Sequence, residues 1–217
     1  MSNKTMLLGF AVAAVLALPA SASAQETHVT GITSFTGHAP TSTLSGSGEP
    51  KITATTTTIS GSFDSGSSTT GKMTLDFTGA TAEFLGIKGN CNTAGAASGT
   101  IAMSGAFHII TVNNRPGLLL TPANTTIICI GFSRLEIAGN VIGTITSPGC
   151  KGSSNNLVVS FESVGTTQNH IEYTAVKYDL VGHTENSAGE TTGSVFTVGF
   201  NATMTVSSFT PGTLECT

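Results

Sequence analysis

A chain of 217 residues with 8 Lys and Arg against 12 Asp and Glu has a formal net charge of -4 and no basic cluster, so neither nucleic acid nor an anionic membrane surface is expected as a partner. Only 9% of the residues are charged, 26 are Gly, 11 are Phe and none is Trp, while Ser and Thr fill most polar positions. Such a composition favours strands and turns over helices.

In chain order, the first segment is MSNKTMLLGFAVAAVLALPASASAQ, in which Lys4 precedes an apolar run from Met6 to Leu18 and Pro19 leads to Ala22-Ser23-Ala24. The run is too short to cross a hydrocarbon core of about 30 Å, and charge, apolar stretch and small residues together read as a secretory signal peptide over residues 1–24. Cleavage after Ala24 is expected, leaving residues 25–217 secreted or periplasmic. The tail FTPGTLECT is polar and offers no transmembrane anchor. This length suits one domain.

Residues 25–71 are rich in Ser, Thr and Gly and hold one strand candidate, KITATTTTISGSF. Ile52 and Ala54 share one parity and Ile59 and Phe63 the other, so the apolar phase slips within the Thr run, as in a bulged or edge strand. β-propensity explains a single Thr run without repeats, and an ice-matching ladder is not needed. The main β-domain is expected over residues 72–217. There Met73, Leu75 and Phe77 alternate with polar residues, as do Ile101, Met103, Phe107 and Ile109, then Leu135, Ile137, Val141 and Ile145, and finally Phe196, Val198, Phe200, Met204 and Val206. TTIICIGF is apolar on both faces and reads as a central strand. VNNRPG, TSPGCKGSSNN and HTENSAGETTG read as turns or loops. With about ten strands and no helical period, the expected fold is all-β, a single antiparallel β-sandwich or partly closed β-barrel.

Cys91, Cys129, Cys150 and Cys216 all lie in the exported part, where disulfides form, and admit three pairings. The absence of a Cys-x-x-Cys pair and of a Cys/His finger spacing excludes zinc-ribbon and thioredoxin-like readings. The stretch CNTAGAASGTIAMSGAFHIITV, with GLLLTP, IICIGF and RLEIAGNVIGTIT after it, resembles a group of secreted bacterial β-proteins of about this length that have no assigned activity. The resemblance covers about residues 88–165. It implies a secreted all-β domain and a bridge between the Cys before the AGAASG loop and the Cys of the central strand, here Cys91 and Cys129, and carries no catalytic residue across. Cys150 and Cys216 are then left to each other, in a bridge that would fasten the carboxyl-terminal tail.

Within NHIEYTAVKYDLVGHTE the spacing His-x-Glu occurs twice, at His170 and Glu172 and at His183 and Glu185. Alternate residues of a strand share a face, so either pair could set an imidazole beside a carboxylate. The apolar phase puts Ile171, Tyr173 and Ala175 inward and then Val176, Tyr178 and Leu180, with a bulge at Ala175-Val176. His170, Glu172, Thr174, Lys177 and Asp179 become an ordinary polar face, and His183 and Glu185 fall in a loop beyond Gly182. A metal needs three or four converging ligands, so neither pair is expected to hold one, and no cofactor is expected.

His108 stands in the apolar strand FHIIT opposite Phe107 and Ile109, without a nucleophile motif such as Gly-x-Ser-x-Gly, and reads as a packed histidine at a sheet margin or between sheets. Carboxylate pairs for glycoside hydrolysis would come from Asp64, Asp76, Glu83, Glu136, Glu162 and Glu172, most of them at outward strand positions. With no Trp and only Tyr173 and Tyr178, there is little to stack on a sugar. The sequons at Asn124 and Asn201 are common by chance in a Thr-rich chain. The leading expectation is an exported, non-catalytic β-domain with a binding or structural role at or outside the cell surface. A barrel carrying a small apolar ligand among Phe107, Ile109, Phe196 and Phe200 comes second, and an exported hydrolase third.

Overall fold

The computed structural model describes residues 27–112, 114–131, 134–147, 153–168, 172–173, 176–177, 179–186 and 188–216. They contain no helix and form a closed antiparallel barrel of eight wall strands. The first wall strand comprises β1 (Thr27–Thr30), β2 (Ser34–Ala39) and β3 (Ser42–Gly46), and the second β4 (Lys51–Ala54) and β5 (Thr56–Phe63). The third comprises β6 (Thr70–Thr78) and β7 (Thr81–Phe84), the fourth β8 (Ile87–Thr93) and β9 (Thr100–Val112), and the fifth β10 (Arg115–Pro122) and β11 (Thr125–Cys129). In the sixth, β12 (Arg134–Gly139) leads to β13 (Val141–Ser147). The seventh is β14 (Ser153–Phe161) and β19 (Leu180–Glu185), separated by the short β15 (Ser163–Val164), β16 (Thr167–Gln168), β17 (Glu172–Tyr173) and β18 (Val176–Lys177). The eighth, β20 (Phe196–Cys216), runs the full height unbroken.

Two rings of pairings share β20: one through β2, β5, β6, β9, β10, β13 and β14, the other through β3, β4, β7, β8, β11, β12 and β19. They are two halves of one wall, because registers persist across the breaks. The hairpin of the first two wall strands keeps a single register from Ser34↔Ser62 to Ser42↔Ala54, and β1 and β2 meet β20 in one register from Thr27↔Cys216 to His38↔Thr205.

The breaks form a belt around the wall, bridged by hydrogen bonds from Thr55 N–H to Thr78 O (3.0 Å), Ala80 N–H to Gly99 O (2.9 Å) and Asn140 N–H to Asp179 O (3.2 Å). Crossing the belt switches the inward parity. Ile52 and Ala54 are buried before Thr55, and Thr57 and Ile59 after it; on the neighbour Met73, Leu75 and Phe77 precede Gly79, and Ala80 and Ala82 follow. A Cβ on Gly79 (φ 63°) would run into Thr55 Oγ1, so glycine is required there. The phase slip foreseen in the Thr run is thus real, but the strand is not at an edge. β4 lies between β3 and β7, and β5 between β2 and β6. Residues 27–71 are wall, not an appendage.

Inward side chains make one core from Val29 to Leu214. Phe107 packs edge to face on Phe35 and Phe63, with ring centroids 5.1 and 5.0 Å away, and Phe200 packs on Phe77 and Phe161 at 6.1 and 5.1 Å. Among the described residues, the void around Phe35, Ile109 and Leu118 and the void around Leu75, Leu120 and Phe200 measure about 20 Å³ each, room for roughly one water. Outward positions are mostly polar, as in the exposed Lys72, Thr74, Asp76 and Thr78 of β6, apart from an apolar patch around Ile110, Leu119 and Ile142. A barrel that spans a bilayer needs the reverse arrangement.

The segment between β14 and β19 departs from expectation. Instead of one strand bulged at Ala175-Val176, a hairpin pairs Glu172 with Lys177 and Tyr173 with Val176, so the phase shift marks a chain reversal. The preceding hairpin, β15–β16, mends the seventh wall strand. Gln168 donates from Nε2 to the carbonyls of Glu162 (2.6 Å) and Phe200 (3.1 Å), while its Oε1 accepts from Phe200 N–H (2.8 Å). A buried side-chain amide thereby takes the place of a missing strand partner.

Candidate functional site

β12 and β19 pair in a register that sets Glu136 opposite His183 and Arg134 opposite Glu185. Leu135 and Ile137 of β12 point into the core, so the alternate residues Arg134 and Glu136 point outward, beside His183 and Glu185. His183 Nε2 lies 2.9 Å from Glu136 Oε2. Arg134 Nε lies 3.6 Å from Glu185 Oε2, which also accepts from Thr126 Oγ1 at 3.5 Å. One ligand atom from each of Glu136, His183 and Glu185 can be chosen so that all lie within 4.8 Å of one another. The position of the second His-x-Glu pair is therefore corrected. His183 and Glu185 belong to a strand rather than a loop, because the register with β12 carries β19 past Gly182 to Glu185.

Of the carboxylates considered for paired chemistry, only Glu136 has a described carboxylate partner in such a cluster, and that partner, Glu185, was not among them. Asp64 accepts a hydrogen bond from Thr70 Oγ1 (3.1 Å) in the turn before β6, Glu162 accepts one from Ser160 Oγ (3.3 Å), and Glu83 stands between Lys51 and Lys88 in the register of β4, β7 and β8. Asp76 is exposed on β6. His170 and the side chain of Glu172 lie outside the described residues.

His108 is half-buried on the outside of the barrel, not between sheets. Its ring stands edge-on to Tyr173 with centroids 6.4 Å apart, beside an outer apolar patch of Ile110, Leu119 and Ile142 that Tyr173 helps to cover. His28 Nδ1 is 3.1 Å from Ser68 Oγ, a contact that fastens β1 to the turn before β6. Cys91 and Cys129 form the disulfide that the resemblance implied, across the directly opposed positions of β8 and β11, with Cα atoms 4.0 Å apart. Cys150 and the side chain of Cys216 lie outside the described residues. The backbone at Cys216 pairs with Thr27 of β1.

Two further surfaces face outward. An open depression of about 760 Å³ crosses β2, β5, β6 and β9, and Thr36, Ser60, Thr74 and Ser104 form a row of hydroxyls across it. The segments after β7, β11 and β19 carry the exposed apolar side chains Leu85, Ile87, Ile130 and Val195. Leu85 is 87% exposed and adopts φ 50° beside Gly86 at φ 79°, a turn in which leucine is strained. No model of a known protein family matches this chain, and no curated protein and no solved structure matches it either.

Proposed function

We propose that the chain is an exported, non-catalytic β-barrel that acts by contact through its outer surface, outside the cytoplasm. The filled interior is the observation that carries this reading. A pocket for a small ligand occupies about 300–1,000 Å³, whereas the voids here are about 20 Å³. Phe107 and Phe200, which a carrier would turn toward its ligand, are engaged with other rings, and the ring of Phe196 fills the space beside Gly46 and Gly182. The hydroxyl row across β2, β5, β6 and β9 and the exposed apolar side chains of the connecting segments are the surfaces available to a partner. A hydrolase is less well supported, because Glu136 and Glu185 lie on the outer face of the wall and line neither the interior voids nor the open depression.

The test uses protein purified from the extracytoplasmic fraction of expressing cells. Terminal sequencing is expected to begin at Gln25, and native mass spectrometry to give the mass of residues 25–217 alone. An intact Met1 terminus would refute export by this route. A stoichiometric apolar adduct would replace the contact reading with the carrier.

A further inference from the structure

We propose that Glu136, His183 and Glu185 bind a divalent cation of the zinc class on the outer wall, bridging the sixth and seventh wall strands. The ligands come from rigid strands, and their placement follows from register: His183 and Glu185 are alternate residues of β19, and Glu136 lies directly across from His183. Around tetrahedral zinc, with bonds of about 2.0–2.2 Å, ligand atoms stand roughly 3.3 Å apart. The His183–Glu136 pair, at 2.9 Å, is already that close, and the whole set lies within 4.8 Å. Rotation of the half-buried Glu136 and His183 side chains closes the remainder.

The state of Glu185 points independently to a cation. Its side chain is only 7% exposed, yet its carboxylate has two polar contacts, at 3.6 Å to Arg134 and 3.5 Å to Thr126. Both exceed the roughly 2.7–2.9 Å of a charge-assisted hydrogen bond. A buried carboxylate held at such distances is weakly compensated, and a cation amid the three ligands would compensate it fully. One imidazole nitrogen with two carboxylates suits zinc, with water in the fourth position. Calcium, which takes six to eight oxygens, is disfavoured. When the metal enters, the proton between His183 Nε2 and Glu136 Oε2 moves to Nδ1 or to solvent. Arg134, 3.6 Å away, is then the competitor: it compensates Glu185 only in part without metal and repels the metal when it arrives.

The experiment titrates zinc chloride into chelator-stripped, oxidised protein by calorimetry in a non-coordinating buffer. One equivalent is expected to bind. His183→Ala and Glu185→Gln are each expected to weaken that site by about 10- to 100-fold, whereas Arg134→Gln is expected to tighten it. A merely structural ion-pair patch would not give this opposition of signs. On the unaltered chain, cobalt should broaden or shift the NMR signals of the His183 ring and spare those of His28, a readout that survives if a variant fails to fold. The proposal is overturned if no equivalent binds, if His183→Ala and Glu185→Gln leave binding unchanged, or if cobalt acts at another histidine and not at His183.

Discussion

Gln168 does the work of a strand with a single side chain, closing the gap that the seventh wall strand leaves beside Phe200. Gln168→Ala would leave the Phe200 N–H and C=O without that partner, and unfolding in urea is expected to show a loss of about 2–4 kcal/mol. Amide exchange at Phe200 should rise with it, whereas a glutamine that only filled space would leave that amide protected. Glu49, in the turn after β3, has its carboxyl raised above the ordinary 4.5 by desolvation. A raised acid binds its proton better in the folded state, so its ionisation lowers stability as pH climbs through the interval above 4.5. Glu49→Gln is therefore expected to melt higher than the parent at pH 7 and at the same temperature near pH 3; an equal difference at both would sink the explanation. At this scale the sequence showed that His183 and Glu185 share a parity. It could not show Glu136 as their partner, because that contact depends on a cross-strand register between residues 47 positions apart.

Among the elements, the bridge between β8 and β11 lies beside the long break of the fourth wall strand, where residues 94–99 leave the wall between β8 and β9. It closes a sequence separation of 38 residues, so the chain-entropy argument gives about 4 kcal/mol of stabilisation, less any strain in the folded state. Cys91→Ala with Cys129→Ala, compared with the oxidised parent by urea unfolding, is expected to lose up to that amount; an unchanged midpoint would show that the pairing along β8 and β11 already fixes the loop. Period-two alternation made these strands legible. What alternation leaves open is the meaning of a slip in phase. The slip at Thr55 is a break in a continuous wall strand that keeps its register with both neighbours, whereas the shift foreseen at Ala175-Val176 falls within a hairpin that pairs Tyr173 with Val176. Both produce two successive residues of one kind, and only the pairing partners distinguish them.

For the whole molecule, composition and alternation sufficed for an all-β chain. They could not choose a closed barrel over a sandwich, since closure rests on pairs such as Phe35↔Ser208, far apart in sequence. β20 is a member of both rings, flanked by β2 and β3 on one edge and by β14 and β19 on the other. Its amides from Ala202 to Val206 are expected to exchange only through global unfolding, with the free energy found by denaturant titration; faster exchange there would mean that the barrel opens at this seam. The same membership sets a clock. Of the barrel's strands, the one needed by both rings comes last in sequence, so until residues 196–216 emerge the other seven wall strands have two open edges and no closed wall. Pairings of such sequence separation also form slowly, on the order of milliseconds to seconds. A chain threaded outward amino terminus first would thus stay open throughout its passage and close only on the far side, its topology alone delaying the native state until transit is over.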